Sequence, residues 1–347
     1  MLDIAITIAY LPVFNAGFVN WDDEDYVLNN SSIQSLTNFH EIITQPVQGN
    51  YHPLTMYSLA INFAMSGKDA SSYHLFNLIL HILNSILVFL FVWRLGGFGI
   101  RMAFIIALLF GIHPLHVESV AWISERKDVL YSLFFLSGMI VYLRYLESKK
   151  VRSLLVVFLL FVLSLLSKPA AVIFPLVLLS LDYFKNRLGQ AKTYLEKLPF
   201  LLLSVLAGLL SMQGQKSAGS TVFAEAFTFF ERMIFACYGI VMYAVKTLVP
   251  LSLCAFYPFP DPSSTFPISY YIAPVFALFV LVVLAKYFRS HKLITLSILF
   301  YVLNLLLVIQ LIPVGNAVIA DRYAYLPLSG LLMLVGYFYR KWLIGNN

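Results

Sequence analysis

HLFNLILHILNSILVFLFVWRLGGFGIRMAFIIALLFGIHPLHV, residues 74–117, holds two long apolar stretches on either side of a glycine-rich turn. About 20 apolar residues cross a bilayer as a helix, so 74–95 and 100–117 read as two transmembrane helices joined by a short loop. Arg94 and Arg101 flank that loop, and basic residues in short loops mark the cytoplasmic side. His113 and His116, at the far end of the second stretch, then lie on the opposite face.

The pattern recurs along the chain, at 1–14, 129–146, 153–167, 170–184, 198–212, 269–288, 293–311 and 323–343. The first stretch is short for a crossing. Clipping, extension by its flanks or tilt would each account for that, and the missing basic n-region weighs against a cleaved signal peptide. The fold expected is an all-α polytopic membrane protein, one domain over 1–347 with about 10–11 transmembrane helices. Composition agrees: 60% of the 347 residues are hydrophobic and 12% charged, about half the charged share of a soluble domain. Mean hydropathy is +0.83. Strand-like alternation, and with it an outer-membrane barrel, is absent from the pattern. Cys237 and Cys254 have no metal-ligand spacing.

The net charge of +6 reflects sidedness, not a nucleic-acid surface. With the N-terminus inside, and with the further apolar stretch 228–249 returning to the side it came from, 15 of the 23 basic residues fall in inner loops. The outer face then takes 13 of the 17 acids. If 228–249 crossed, Lys286, Arg289 and Lys292 would fall outside, so it is expected to be a re-entrant or interfacial helix within an outer loop at 213–268. The long first outer loop, 15–73, carries an amphipathic interfacial helix opened by Pro53. Function is therefore expected at the non-cytoplasmic surface.

Chemistry-bearing residues gather on that face. Asp22 and Asp23 head the run WDDEDY just beyond the first span. Crowded carboxylates raise one another's pKa, which suits a general base; they would also suit a divalent cation; a solvated acidic loop is the bland alternative. His113 and His116 form a His-x-x-His pair, for which Glu118 or His52 could supply a third ligand, and structural caps are an equal reading. Glu125, Arg126, Lys127 and Asp128 make either a self-paired turn or a substrate contact. Lys168 lies between two spans and Arg322, before Tyr323, opens another. Such cations are costly near hydrocarbon and could hold a lipid phosphate, or Arg322 could pair with Asp321 or with a carboxylate of the first loop. No P-loop, GxGxxG or GxSxG motif is present, which disfavours a soluble nucleotide donor.

FVNWDDEDYVLNN, NYHPLT, YHLFNLILHILN, FGIHPLHVESVAWISERKDVLYSLFF, LSKPAAV and DRYAYLP occur in this order. Together they resemble the membrane domain of the transmembrane and tetratricopeptide-repeat O-mannosyltransferases, which are GT-C glycosyltransferases and cousins of the protein O-mannosyltransferases. The resemblance covers about residues 5–340, and no repeats accompany it within the chain. It implies a GT-C-type bundle, a polyprenyl-phosphate-linked sugar donor (mannose or a similar hexose) and an acidic pair matching Asp22 and Asp23. It further implies donor-phosphate or substrate roles for His52, His113, His116, Glu118, Arg126, Asp128, Lys168, Arg322 and Tyr323. The reaction expected is an inverting transfer to an acceptor hydroxyl, on a protein Ser/Thr or on a lipid or cell-envelope glycan, with no obligatory metal and room for a divalent cation. The bacterial inner membrane, with the active site facing outward, is the expected location. A lipid-linked-sugar flippase is the rival, but it would need charge along the middle of several spans, and polar residues here gather at one face.

Overall fold

The computed structural model describes residues 1–219, 226–288, 290–312 and 315–345. They form two compact units, Met1–Phe174 with Pro199–Gly214, and Pro175–Leu198 with Gln215–Asn347. Arg289 lies outside the described residues.

The first unit contains α1 (Leu2–Tyr10), α2 (Pro53–Ser66), α3 (Ala70–Leu95), α4 (Ile100–Ile112), α5 (Arg126–Ser148) and α6 (Val151–Ser167). At 26 residues, α3 runs for about 39 Å, ample for a bilayer crossing. It packs against α4 and α1 on one side and α5 on the other, and α5 packs on α6. Gly111 lets three helices close up: a Cβ there would lie 2.4 Å from Ile6 and 3.0 Å from the Ser85 hydroxyl. As the sequence pattern predicts, α2 is a 14-residue amphipathic helix with Pro53 in its first turn and Gly67, at φ +59°, ending it. Its Met56, Leu59 and Ala60 bury against Tyr26, Val27, Ile33, Ile42 and Ile123, folding the first loop onto the bundle.

A polar stripe runs along α3 at helical spacing: His74, Asn77, His81 and Asn84, all buried. Each meets a backbone carbonyl of another element. His74 donates through Nε2 to Ala16 (3.2 Å), His81 through Nε2 to Gly111 (2.8 Å) and Asn84 to Val129 (2.8 Å). Asn77 serves Val120 and Trp122 at 3.3 and 3.2 Å. Irregular backbone must find its hydrogen bonds inside the protein, and Asn77 supplies them for the broken stretch between α4 and α5.

The second unit contains α7 (Phe174–Phe184), the ends of α8 (Leu198–Ser217), α9 (Phe229–Leu248), α10 (Ile268–Tyr287), α11 (Lys292–Leu305) and α12 (Pro327–Gly345). Here α11 packs on α12 and α9 on α10. Gly330 permits the first pairing, because a Cβ there would sit 2.6 Å from the Ser297 carbonyl. A small antiparallel ladder joins β1 (Tyr257–Pro258) to β2 (Ala317–Ile319). Tyr243 of α9 bonds Ala320 in both directions, donating to its carbonyl at 3.1 Å and accepting from its N–H at 3.0 Å.

Each apolar stretch of the sequence overlaps a helix, and the fold is that of an all-α polytopic membrane protein. Among the described residues, four helices are long and apolar enough to cross by themselves: Ala70–Leu95, Ile123–Ser148, Ala191–Ser217 and Ile268–Tyr287. Ile100–Ile112 and Pro114–Ala121, bent by 51° at the break between them, are together long and apolar enough for a fifth. Val151–Ser167 and Lys292–Leu305 are among the shorter apolar helices. The stretch at 228–249 is one unbroken 20-residue helix, opened by a capping box between Thr228 and Glu231. Glu231, Arg232 and Lys246 on it keep it out of the apolar set.

Candidate active site

The acidic run separates into different environments. Both oxygens of Asp23 are taken by backbone N–H groups, Oδ2 from Val19 at 3.0 Å and Oδ1 from Ser124 at 2.8 Å, and the residue is buried. Burial pushes its carboxyl up from the ordinary value, against the pull of those two bonds. Asp23 thus ties the loop after α1 to the approach to α5. Asp22, with a side chain 19% exposed, reaches Lys127 Nζ at 3.4 Å. Glu24 and Asp25 are exposed, and Asp25 accepts from Gln48 at 2.7 Å.

The turn into α5 determines the rest. Trp122 is extended and Glu125 is the residue before the first helical one, so the phase of the helix, about 100° per residue, sends neighbours in different directions. Arg126 points into the packing of α2 on α3. Its Nε donates to Asn77 Oδ1 (2.8 Å), and its terminal nitrogens donate to Asn62 Oδ1 (2.7 Å) and to the carbonyls of Tyr73 (3.0 Å) and Ser58 (3.3 Å). With no exposed surface, it ties helices together and does not face the cluster. Lys127 and Glu125, which the sequence offers either as parts of a self-paired turn or as a substrate contact, are the neighbours that do.

Those residues assemble a compact group. Lys127 Nζ lies 3.1 Å from Glu125 and 3.4 Å from Asp22. Lys168 meets Asp128 directly and Glu125 at 3.9 Å, and Ser119 donates to Asp128 at 3.1 Å. Lys168 is held there because Thr55, at the start of α2, donates to the Ser167 carbonyl at 2.8 Å. Under the lysines the imidazole of His52 stacks on Tyr26, with ring centroids 5.2 Å apart, and Lys127 sits 4.8 Å above the Tyr26 ring. His52 is buried, so its pKa falls to about 3, with the charge of Lys127 adding to the effect. It is a neutral imidazole whose Nε2 has no hydrogen-bond partner. Burial pushes the Tyr26 phenol up to about 12.

The histidine pair caps backbone. His113 Nδ1 accepts from the Leu115 N–H at 3.2 Å, and His116 Nδ1 donates to the Phe110 carbonyl at 2.8 Å. Glu118 is half-buried on the short helix Val117–Ala121. Among the described residues, no three His, Cys, Asp or Glu side chains are grouped to hold a metal.

Arg322 and Tyr323 belong to the second unit. The Arg322 guanidinium donates to the Ala255 carbonyl at 3.1 Å and stacks 4.9 Å from the Tyr323 ring. Asp321 is held elsewhere, accepting from the Cys254 N–H at 2.7 Å and the Tyr257 hydroxyl at 3.0 Å. Burial raises its carboxyl above the ordinary value.

No protein-family model matches the sequence. Protein O-mannosyl-transferase F38B6.6 of Caenorhabditis elegans is 24% identical over 352 residues, covering 96% of this chain and 50% of that protein. Human protein O-mannosyl-transferase TMTC3 is 31% identical over 149 residues, 40% of this chain and 16% of its own length. Drosophila melanogaster protein O-mannosyl-transferase Tmtc1 is 30% identical over 177 residues, 48% of this chain and 20% of its own. The chain thus spans half the length of the first relative and less of the others. Among solved structures, ArnT from Cupriavidus metallidurans bound to undecaprenyl phosphate superposes with a TM-score of 0.50 at 13% identity, over 99% of this chain and 61% of that one. That likeness carries the fold, a GT-C-type membrane bundle. The chain is similar to the Caenorhabditis elegans protein along nearly its whole length and to the other two over 40% and 48% of it.

Proposed function

We propose that this protein is a GT-C glycosyltransferase that moves a hexose, mannose or a close relative, from a polyprenyl-phosphate carrier to a hydroxyl of a protein Ser or Thr. The transfer takes place on the non-cytoplasmic face of a bacterial inner membrane. The observation that carries this is the division of labour between adjacent acids. Asp23 is locked by two backbone N–H groups, while Asp22 stays partly exposed beside Lys127. The named O-mannosyltransferase relatives support the activity class.

In this mechanism Asp22 takes the proton of the acceptor hydroxyl. The oxygen attacks the anomeric carbon from the side opposite the phosphate, the bond from that carbon to the phosphate oxygen breaks, and the configuration inverts. The departing polyprenyl phosphate gains negative charge, and fixed cations are the usual means of stabilising it. Lys127 and Lys168 are the cations assigned here, since Arg126 is turned into the helix packing. Glu125 and Asp128 hold the two ammonium groups between turnovers. Neutral His52 lines the floor of the cluster. The phosphate-handling part read for Arg322 and Tyr323 is a separate proposal. The experiment is transfer of labelled sugar from extracted lipid-linked donor to a Ser/Thr-containing peptide, using membranes with wild type or Asp22→Asn at matched levels. Label carried by wild type and lost in the variant supports the mechanism; equal transfer by both removes it.

A further inference from the structure

The residue before Asp22 is a tryptophan, and its indole has a built support. Trp21 stacks on Trp122 with ring centroids 5.2 Å apart and planes 27° from parallel. Trp122 is only 8% exposed. Its carbonyl accepts from Asn77 at 3.2 Å and from the Glu125 N–H at 3.1 Å, so the lower indole is anchored to α3 and to the turn that aims Lys127. Two residues on, the Ser124 N–H grips Asp23 at 2.8 Å. The segments 21–23 and 122–124 are therefore clamped together at both ends, by an aromatic stack and by a hydrogen bond. Trp21, the upper member, remains 49% exposed, directly beside the acid that contacts Lys127.

A large, rigid, half-exposed aromatic on a fixed plate is what a pyranose ring recognises. One face of a hexose presents mainly C–H groups, and an aromatic face carries partial negative charge. The attraction grows when the ring gains positive character, as it does in the oxocarbenium-like transition state of glycosyl transfer, because a cation over an indole is stabilised by the ring quadrupole. We propose that Trp21 is the stacking platform for the hexose of the lipid-linked donor, with Trp122 fixing its plane. This rests on the glycosyltransferase reading above. The platform contributes more in the transition state than in the ground state, so its loss lowers kcat more than it raises KM.

The test uses the full chain in membranes or detergent, with undecaprenyl phosphate and its mannosyl and glucosyl forms as probes. Trp21→Leu keeps an apolar side chain for the membrane interface and removes the aromatic face. Trp21→Phe keeps a smaller one. The expected result is a fall in kcat/KM of roughly 2- to 30-fold for the Leu variant, carried mainly by kcat, and a smaller fall for Phe. The sugar-bearing lipids bind less tightly to the Leu variant, while bare undecaprenyl phosphate binds as it does to wild type. A Leu variant that matches wild type on every probe overturns the platform and leaves Trp21 an interfacial anchor. Equal loss for bare and sugar-bearing lipids, with a lowered unfolding temperature, also overturns it. If wild type itself does not distinguish a sugar-bearing lipid from the bare one, the donor reading fails and the platform with it.

Discussion

Two clusters of buried charge, one in each unit, are made from the same residue types and differ in how they are closed. In the second unit Asp182, Arg187, Glu196 and Lys197 form a network drawn from 16 consecutive residues. Arg187 bonds Asp182 at 2.8 Å and Glu196 at 3.0 Å, and Lys197 bonds Asp182 at 2.6 Å. Two cations balance two anions, and all four side chains are nearly inaccessible. In the first unit Asp22, Glu125, Lys127, Asp128 and Lys168 come together from three separated segments. Three carboxylates face two lysines that keep 10% and 17% of their side-chain surface exposed. A closed, neutral, local network staples a turn between two helices. An open one, with unequal charge and accessible ammonium groups, keeps the capacity to exchange a partner for a substrate phosphate.

The sharpest way to break that contrast is Asp22→Asn. Removing a general base typically costs about 10²–10⁴-fold in rate, with little change in stability, because Asp22 is partly exposed and only 3.4 Å contact with Lys127 is lost. A loss confined to thermal stability, with normal turnover, would make the first cluster as structural as the second. Asp23→Asn is the internal control. Its amide sets an N–H against one of the two backbone N–H groups that Asp23 now accepts from, so stability falls along with activity.

Lys197→Met probes the other side of the comparison. Breaking a buried ion pair leaves an uncompensated charge, at a cost of about 3–5 kcal/mol. Here Asp182 loses one of its two cations and keeps Arg187 at 2.8 Å, so the cost is expected toward the lower end of that range. Unfolding in detergent, with hydrogen exchange followed across 182–197, should show the loss while turnover per folded molecule stays unchanged. A variant that folds normally and loses transfer would move function into the second unit.

Lys168→Met comes next. Loss of one positioned charge-stabilising group costs roughly 10²–10³-fold in rate. Because the substitution also strips Asp128 of its ammonium partner, it is paired with the double variant Lys168→Met/Asp128→Asn. The double variant is expected to recover unfolding temperature and not transfer. Recovery of both would reduce Lys168 to a structural partner of Asp128.

The difference between the clusters was only partly legible in the sequence. Apolar lengths and loop charges led to the membrane class, and the acidic run after the first span stood out without help. The phase of α5 did not. Glu125-Arg126-Lys127-Asp128 reads as four equivalent charges until Asn77 fixes the carbonyls at 120 and 122 and the helix starts at Arg126. Only then do Lys127 and Arg126 diverge, one to Asp22 and the other into Asn62 and Asn77. Adjacency likewise did not show what holds Asp321: its carboxylate accepts from Cys254 and Tyr257, more than 60 residues earlier in the chain. The stripe of α3 carried its own signal, since four polar side chains at helical spacing on one apolar helix mark carbonyls that need donors.

The smallest effect is on acid stability, where two groups of the first unit act with opposite sign. His52 has a folded-state pKa of about 3 against an ordinary 6.5. Its contribution to stability is therefore complete above 6.5 and is lost as pH falls toward 3, because the unfolded chain takes up a proton that the buried imidazole refuses. Lowering pH from 6.5 to 5.5 removes about 1 kcal/mol, approaching 1.4 kcal/mol for each further unit. Asp23 works the other way. Burial raises its pKa, so its contribution is complete below the ordinary carboxylate value and is lost as pH rises through the folded one. The His52 slope is expected to dominate below pH 6.5, where unfolding in detergent would show wild type weakening while His52→Gln stays flatter over the same window. In Asp23→Asn the acid-side weakening should steepen, because the opposing term is gone. If both variants track wild type from pH 6.5 to 4, neither group is buried as described, and acid sensitivity must arise outside the first unit's cluster. Hydrogen exchange in α2, the helix that His52 precedes, locates the effect: protection there should fall with pH in wild type, while 182–197 of the closed network serves as the reference.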